Sequence, residues 1–327
     1  MRALYYTGTM QMEMRDTDVP VATADQTVVR VSHSGICGSD MHAWHGHDAR
    51  RVPPLILGHE AVGLAEDGLH AGKRVAINPL MTCGKCRFCL SGNEHLCPER
   101  ALIGLKVPGA YAEHVAIQTS NLTVLPDDLA FDQAVLAEPL AVCVHAVRVG
   151  YERHAGPADT IVVLGGGAIG LLAAFVYRHR GVGTLWIAET NPVRRAALEK
   201  VIDAKVYDPL GSEGPALESV DMIFDAVGSG RTRASASAMV RPGGTIVHTG
   251  LQDSTEGLDT RRITLQEILF LGTYCYTNAD FADGLDLLHK GHVKRDGWTE
   301  LRDLDAGAQS FQDIHDGKAP PKIILTC

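Results

Sequence analysis

No long run of basic residues occurs in this chain. Its 30 Lys and Arg face 39 Asp and Glu, for a net charge of -9. Without a basic stripe to follow a phosphate backbone, nucleic acid is not an expected partner. The first residues, "MRALYYTGTMQMEMRD", lack the apolar core of a signal peptide. An unbroken membrane span is missing too. The longest uncharged run, "IVVLGGGAIGLLAAFVY" at 161–177, carries four glycines and reads as strand, turn and helix. There is no internal repeat and no low-complexity tract. These absences lead to the expectation of a cytoplasmic globular protein with no membrane partner. Hydrophobic and charged contents of 45% and 21% agree with that class. At 327 residues the chain has room for two domains.

A disulfide framework is not expected in such a chain, although there are eight cysteines. Four crowd into fifteen residues, Cys83, Cys86, Cys89 and Cys97, while Cys37, Cys143, Cys275 and Cys327 are isolated. The crowded set reads C-x2-C-x2-C-x7-C, a spacing suited to a closed tetrahedral site of four thiolates on zinc. A ferredoxin-type cluster would place the fourth cysteine after three residues, not seven. With no open position, such a zinc would pin a surface loop and do no chemistry. By contrast, "SGICGSDMHAWHGH" at 34–47 has one cysteine and three histidines, and no common zinc spacing fits it.

Along the chain, the first 140 residues read as short strands broken by Gly and Pro, among them "TVVRVS", "KRVAIN" and "AYAEHVAI". After that, β and α segments alternate: "TIVVLG", "AIGLLAAFVYRHR", "TLWIAE", "NPVRRAALEKV", "DMIFDAVG", "GGTIVHTG". Alternation of this kind predicts a doubly wound parallel sheet. From about residue 276 a helix, "NADFADGLDLLHKG", and a closing strand, "PKIILT", follow.

Within the alternating part, Gly165, Gly167 and Gly170 have G-x-G-x-x-G spacing, with Ala168 and Ile169 between the last two. Alone the pattern is weak, and a glycine-rich packing turn is the bland alternative. Here it follows a strand and opens a helix, as a dinucleotide site requires. Gly165 permits the turn, Gly167 lets backbone approach a pyrophosphate, and Gly170 allows close packing. The helix N-terminus would face the phosphates. Glu189 stands about 20 residues on, where an acid accepts from the ribose hydroxyls. Those features predict NAD rather than NADP, although Arg194 and Arg195 lie close behind.

The order of "GICGSDMH", "GHEAVG", the four-Cys lobe, "GAYAEHV", "EPLAV" and the glycine loop resembles the zinc-dependent medium-chain dehydrogenases. The likeness is to the sorbitol, L-idonate, butanediol and threonine dehydrogenase branch, and it covers nearly the whole chain. The resemblance implies an α/β architecture: a GroES-like, partly barrelled β catalytic domain (1–141 and 276–327, zinc lobe about 79–100) around an inserted Rossmann domain (142–275). The active site would lie in the cleft between them, and the enzyme would be a homo-oligomer. It implies a catalytic zinc on Cys37, His59 and Glu138, a second zinc on the four-Cys lobe, and NAD. Glu138 replaces the thiolate of ethanol-type relatives, which fits the polyol branch. Glu60 would approach the metal directly or through water, and Asp40 would orient the His59 ring. Ser39 and His42 match the proton relay, with a cofactor ribose hydroxyl between them. Asp225, Gly228, Gly243, Gly244 and Gly250 match the cofactor loops.

The implied reaction is hydride transfer between a small-molecule secondary alcohol and NAD. In "LGTYCYT", Cys275 stands where sugar-acid relatives usually carry an Arg. A planar guanidinium holds a carboxylate in a bidentate grip, and Cys cannot. We therefore expect a neutral polyol or vicinal diol, with a sugar acid as the alternative. A zinc-free quinone-reductase-like or non-catalytic relative would be expected to lack the Cys37, His59 and Glu138 set. Another departure is a connection of only eight residues, "LAEDGLHA", after "GHEAVG". His45 and His47 match nothing in the family and read as solvated loop histidines near the cleft, the alternative being that they or Arg50 supply a positive charge over it. His33, His114, His145 and Cys143 are expected to be structural.

Overall fold

The computed structural model describes residues 1–252 and 255–327. It divides into two compact units, one of Met1–Glu138, Thr277–Arg295 and Thr299–Cys327, the other of Pro139–Tyr276 and Asp296–Trp298.

The first unit is organised around Gln26–Gly35, a ten-residue strand with buried Val28, Val29 and Val31. β-Branched residues favour this half-buried pleated surface. The strand pairs antiparallel with His114–Gln118, Glu60–Ala65 and the C-terminal Lys322–Thr326. A bulge between Val31 and His33 redirects it, so that its final residues meet the end of the chain. The strands Glu60–Ala65 and Arg74–Ile77 form a tight antiparallel pair, and the short "LAEDGLHA" link closes it through Ala65 N–H to the Lys73 carbonyl. Two apolar clusters fill this unit. One includes Val29, Val75, Ile77 and Ile117; the other includes Leu4, Trp44, Tyr111, Phe311 and Ile323.

The second unit holds a six-stranded parallel sheet. From edge to edge its strands are Lys205–Tyr207, Thr184–Ala188, Thr160–Leu164, Val220–Asp225, Val240–His248 and Leu269–Gly272. The run at 161–177 divides as expected into Thr160–Leu164 and the helix Ala168–His179. Asn191 caps the next helix, Pro192–Val201, accepting from Val193 and Arg194 N–H, with Pro192 at its first turn. The longest apolar helical run, Phe131–Arg153, is 78% buried over its most apolar window, the mark of a core helix.

The loop after Leu164 and the first turn of the helix that follows each hold a position whose geometry only glycine meets. Gly165 has φ +97°, in the left-handed region. A Cβ on Gly170 would fall 1.8 Å from the Gly165 carbonyl oxygen. Gly170→Ala should therefore destabilise the second unit by about 1–3 kcal/mol, the usual range for overpacking. Urea unfolding of the variant checks this, and a change within error would mean that the loop can open without cost.

Candidate active site

Cys37 is the N-cap of the seven-residue helix Gly38–Trp44, which presents Ser39, Asp40 and His42. The Cys37 N–H donates to Asp40 Oδ2 at 3.1 Å, so the helix start and the acid hold each other. Asp40 is fully buried. Its Oδ2 also accepts from the Tyr111 hydroxyl at 2.7 Å, while Oδ1 faces His59 Nδ1 at 3.4 Å and Arg51 at 4.0 Å. The His59 contact lacks hydrogen-bond alignment, for both atoms are otherwise unpartnered. Burial opposes ionisation of Asp40, yet His59, Arg51 and Tyr111 outweigh it and hold its carboxyl well below the usual range. Burial would likewise lower His59, but the charges of Asp40 and Cys37 raise it well above its ordinary value. An environment that draws a proton to this imidazole also draws a cation.

Ligand atoms of Cys37, His59 and Glu60 lie within 4.8 Å of one another. Since Nδ1 of His59 faces Asp40, Nε2 is the ring atom left to ligate, and the Ser39 hydroxyl lies 3.5 Å from it. Glu60 is buried against Lys322, whose ammonium pairs with its carboxylate and donates to the Ile36 carbonyl at 2.9 Å. Glu138 is buried in the first turn of Ala137–Arg153 and lies outside this cluster of ligand atoms. The chemistry of the set, one thiol, one imidazole and a carboxylate around a common point, fits zinc.

The four-Cys lobe is closed at its base by the antiparallel pair Leu80–Met81 and Ala101–Leu102. The thiols of Cys83, Cys86, Cys89 and Cys97 gather within 4.8 Å, and none is in a disulfide. Cys83 and Cys97 sulfurs are 3.6 Å apart, as are those of Cys86 and Cys89, and Cys83 to Cys89 is 4.0 Å. Sulfurs on a tetrahedral zinc at about 2.3 Å would be about 3.8 Å apart, so the set fits the ion. Backbone N–H groups of Lys85 and Cys86 bring the Cys83 thiol down to about 7. Lost hydration and the Cys86 thiol push Cys89 up to about 11. Four thiolates so close need a cation among them.

In the second unit, Gly167 caps the helix Ala168–His179 without a side-chain bond. A Cβ on Gly167 would meet nothing within 4 Å, unlike one on Gly166 or Gly170. The space above the helix end is therefore open, and the first-turn N–H groups of Ala168, Ile169 and Gly170 have no partner within the helix. That is a cradle fitting a pyrophosphate. Glu189 is buried and accepts from Gly166 N–H at 2.9 Å and Asn191 N–H at 2.7 Å, which fixes its carboxylate at the loop. Arg194 is half-buried, its Nε without a partner. Arg195 instead donates to the Glu189 and Thr190 carbonyls and pairs with Asp208.

Asp225, also fully buried, accepts from Val227 and Gly228 N–H, from Thr232 and from His248. Gly228 and Gly250 pack backbone to backbone, where a Cβ on Gly228 would sit 2.0 Å from the Gly250 carbonyl oxygen. Gly243 takes φ +68°, and a Cβ on Gly244 would fall 2.5 Å from Val240. These residues thus have a packing reason independent of any ligand.

Among the residues expected to be structural, His33 bonds Ser32, His114 faces Glu66, His145 meets Arg148, and Cys143 donates to the Ile169 carbonyl. Cys275 adopts φ +50°, an unusual backbone for a side chain other than Asn, Asp or Gly. Sequence reasoning missed Arg51 and Lys322. Arg51 is buried, donating to Asp48, to the Gly104 carbonyl and to Ser39 Oγ at 3.2 Å. Neither residue belongs to a motif; a basic residue amid buried apolar neighbours was the only signal, and at Lys322 alone.

A family model described as "Alcohol dehydrogenase GroES-like domain" matches residues 23–127, and one described as "Zinc-binding dehydrogenase" matches 168–290. D-arabitol-phosphate dehydrogenase of Enterococcus avium is 30% identical over 95% of this chain and 92% of its own length. Sorbitol dehydrogenase of Bacillus subtilis is 30% identical over 95% of this chain and 94% of its own. A solved Escherichia coli CFT073 structure, described as a short chain alcohol dehydrogenase complexed with cofactor NADH, is 24% identical with a TM-score of 0.91. The match covers 100% of this chain and 99% of that one, and it shows the shared fold. The α/β architecture is thus a GroES-like domain with a Rossmann-type parallel sheet, as the sequence motifs led us to expect. The chain belongs to the zinc-binding alcohol dehydrogenase family and is an oxidoreductase of that family.

Proposed function

We propose that this dehydrogenase oxidises a neutral polyol or vicinal diol at a secondary hydroxyl, using NAD, with two zinc ions per chain. The gathering of Cys37, His59 and Glu60 carries this reading. Cys37 and His59 would hold the catalytic zinc, with a carboxylate from Glu138 or Glu60 as third ligand. The four cysteines at 83–97 would hold the structural one. When bound, zinc polarises the alcohol oxygen and the nicotinamide accepts the hydride.

The chain's own residues would then move the proton. Arg51 donates to Ser39 Oγ and so turns the hydroxyl hydrogen away from itself. Ser39 takes the alcohol proton and hands it on toward His42. Burial, and then the neighbouring His47, lower the His42 pKa, so its ring is neutral at physiological pH and able to accept. The Asp40 carboxylate faces the His59 ring at 3.4 Å, and Tyr111 stays a donor to Asp40 because burial and that charge push its hydroxyl well above the ordinary value.

Neutral substrate follows from where the positive charges go. The Arg50 guanidinium makes two bonds to Asp48, and that of Arg51 makes a third. Asp48 is accordingly held down to about 2: burial opposes this, and Arg50 and Arg51 overcome it. With Cys275 unable to bind a carboxylate, the charge that a sugar acid would need is already engaged. NAD is favoured over NADP because the Glu189 carboxylate, fixed by two backbone donors, would repel a 2′-phosphate.

Metal analysis comes first. Cys97→Ser should lose one zinc and melt at lower temperature, whereas His59→Ala should lose the other zinc and turnover with a smaller drop in melting temperature. Glu60→Gln and Glu138→Gln, compared for zinc retention, identify the third ligand. A single zinc in fully loaded wild type would overturn the two-site reading.

Cofactor choice is read from kcat/KM with NAD and NADP, where NAD should win clearly. In the same assay Gly167→Ala should weaken NAD binding with little change in stability, because its methyl enters open space. An NADP preference would refute the Glu189 assignment. Finally, a polyol and its aldonate should differ by tenfold or more in kcat/KM in favour of the polyol, about 1.4 kcal/mol. The reverse preference would show that Arg50 or Arg51 leaves Asp48 to bind the acid.

A further inference from the structure

His45 has no part in the chemistry above, and His47 enters it only through its effect on His42, yet His45 is not a solitary loop residue. Its Nε2 lies 3.0 Å from Nδ1 of His315, the last residue of the helix Gly307–His315. The two are 270 positions apart in sequence. The backbone N–H of His45 donates to the Met41 carbonyl at 2.9 Å, which fixes the backbone that carries the ring. Rings of His45 and His47 are 5.7 Å apart, and His47 is exposed, so a turn of its side chain brings a third imidazole to the pair.

From this arrangement we propose that His45 and His315 form an accessory site for a divalent transition metal such as zinc, with His47 as third ligand. Two nitrogens on one zinc at about 2.0–2.1 Å stand about 3.3 Å apart in tetrahedral geometry. The observed pair is a few tenths of an ångström closer than this, and to take the ion the two rings open by that amount and tilt so that both lone pairs meet on it. Water completes the coordination, since the pair lies at the surface. Protons are poor rivals for the position: burial, and then the neighbouring His315, His47 and His42, lower the His45 pKa. The ion would staple the C-terminal end of the Gly38–Trp44 helix to the Gly307–His315 helix. That junction is otherwise held by Trp44 against Phe311 and His315, at 6.0 and 5.7 Å. The helix so anchored is the one that carries Ser39, Asp40 and His42.

Equilibrium dialysis of fully zinc-loaded protein against buffered Zn2+, with elemental analysis, tests the site. Wild type should take up one more equivalent than His45→Ala or His315→Ala, and added zinc should raise its melting temperature but not theirs. His289→Ala, at an exposed histidine bonded to Asp128 elsewhere in the unit, should behave as wild type. His315→Gln keeps a hydrogen-bonding partner for His45 and removes the ligand, so it separates lost binding from lost packing. Because the count is a difference between wild type and variants, it does not depend on how many ions the cysteine clusters hold. No difference in uptake, or zinc stabilisation that persists in both His315 variants, would reduce the pair to an ordinary hydrogen bond.

Discussion

A buried ion pair between Glu60 and Lys322 ties the last strand of the first unit to the ligand cluster. Burying two full charges is expensive, and the attraction between them offsets this only when the geometry is good and the remaining donors are satisfied. Here Lys322 has the Ile36 carbonyl as a further acceptor. Its strand, Lys322–Thr326, pairs with the end of Gln26–Gly35, so the last residues of the chain lie under the first ligand-bearing loop. Gly35 makes room for the pair: a Cβ there would collide with the Glu60 carboxylate and approach the Lys322 side chain. Two distant glycine and lysine positions thereby decide where a carboxylate stands beside Cys37 and His59.

Asp40 links the rest of the cluster. One carboxylate binds the Cys37 N–H and the Tyr111 hydroxyl and faces both His59 and Arg51. It therefore ties a helix start, a core tyrosine, an imidazole and a guanidinium into one buried network. Such networks are rigid when fully satisfied and costly when one member is removed. The same logic holds in the second unit, where Asp225 gathers two backbone donors, Thr232 and His248 at the end of a sheet strand. In both units a buried acid shapes the loops, and residues chosen for a ligand role must first satisfy it.

Much of this was legible in the residues because the signals are local. Four cysteines at fixed spacing can close on one ion whatever surrounds them, and the strand, glycine loop and helix at 160–179 follow from hydrophobic period and turn chemistry within twenty positions. The hairpin Arg2–Gly8 with Gln11–Asp16 and the helix Gly307–His315 left weaker marks and went unread. What the tertiary structure alone decided are the meetings of residues far apart: Lys322 with Glu60, Arg51 with Ser39, His315 with His45, and Cys37 with His59 and Glu60. Each depends on strand register and rotamers set by packing across the whole unit, and no spacing along the chain encodes a distance across it.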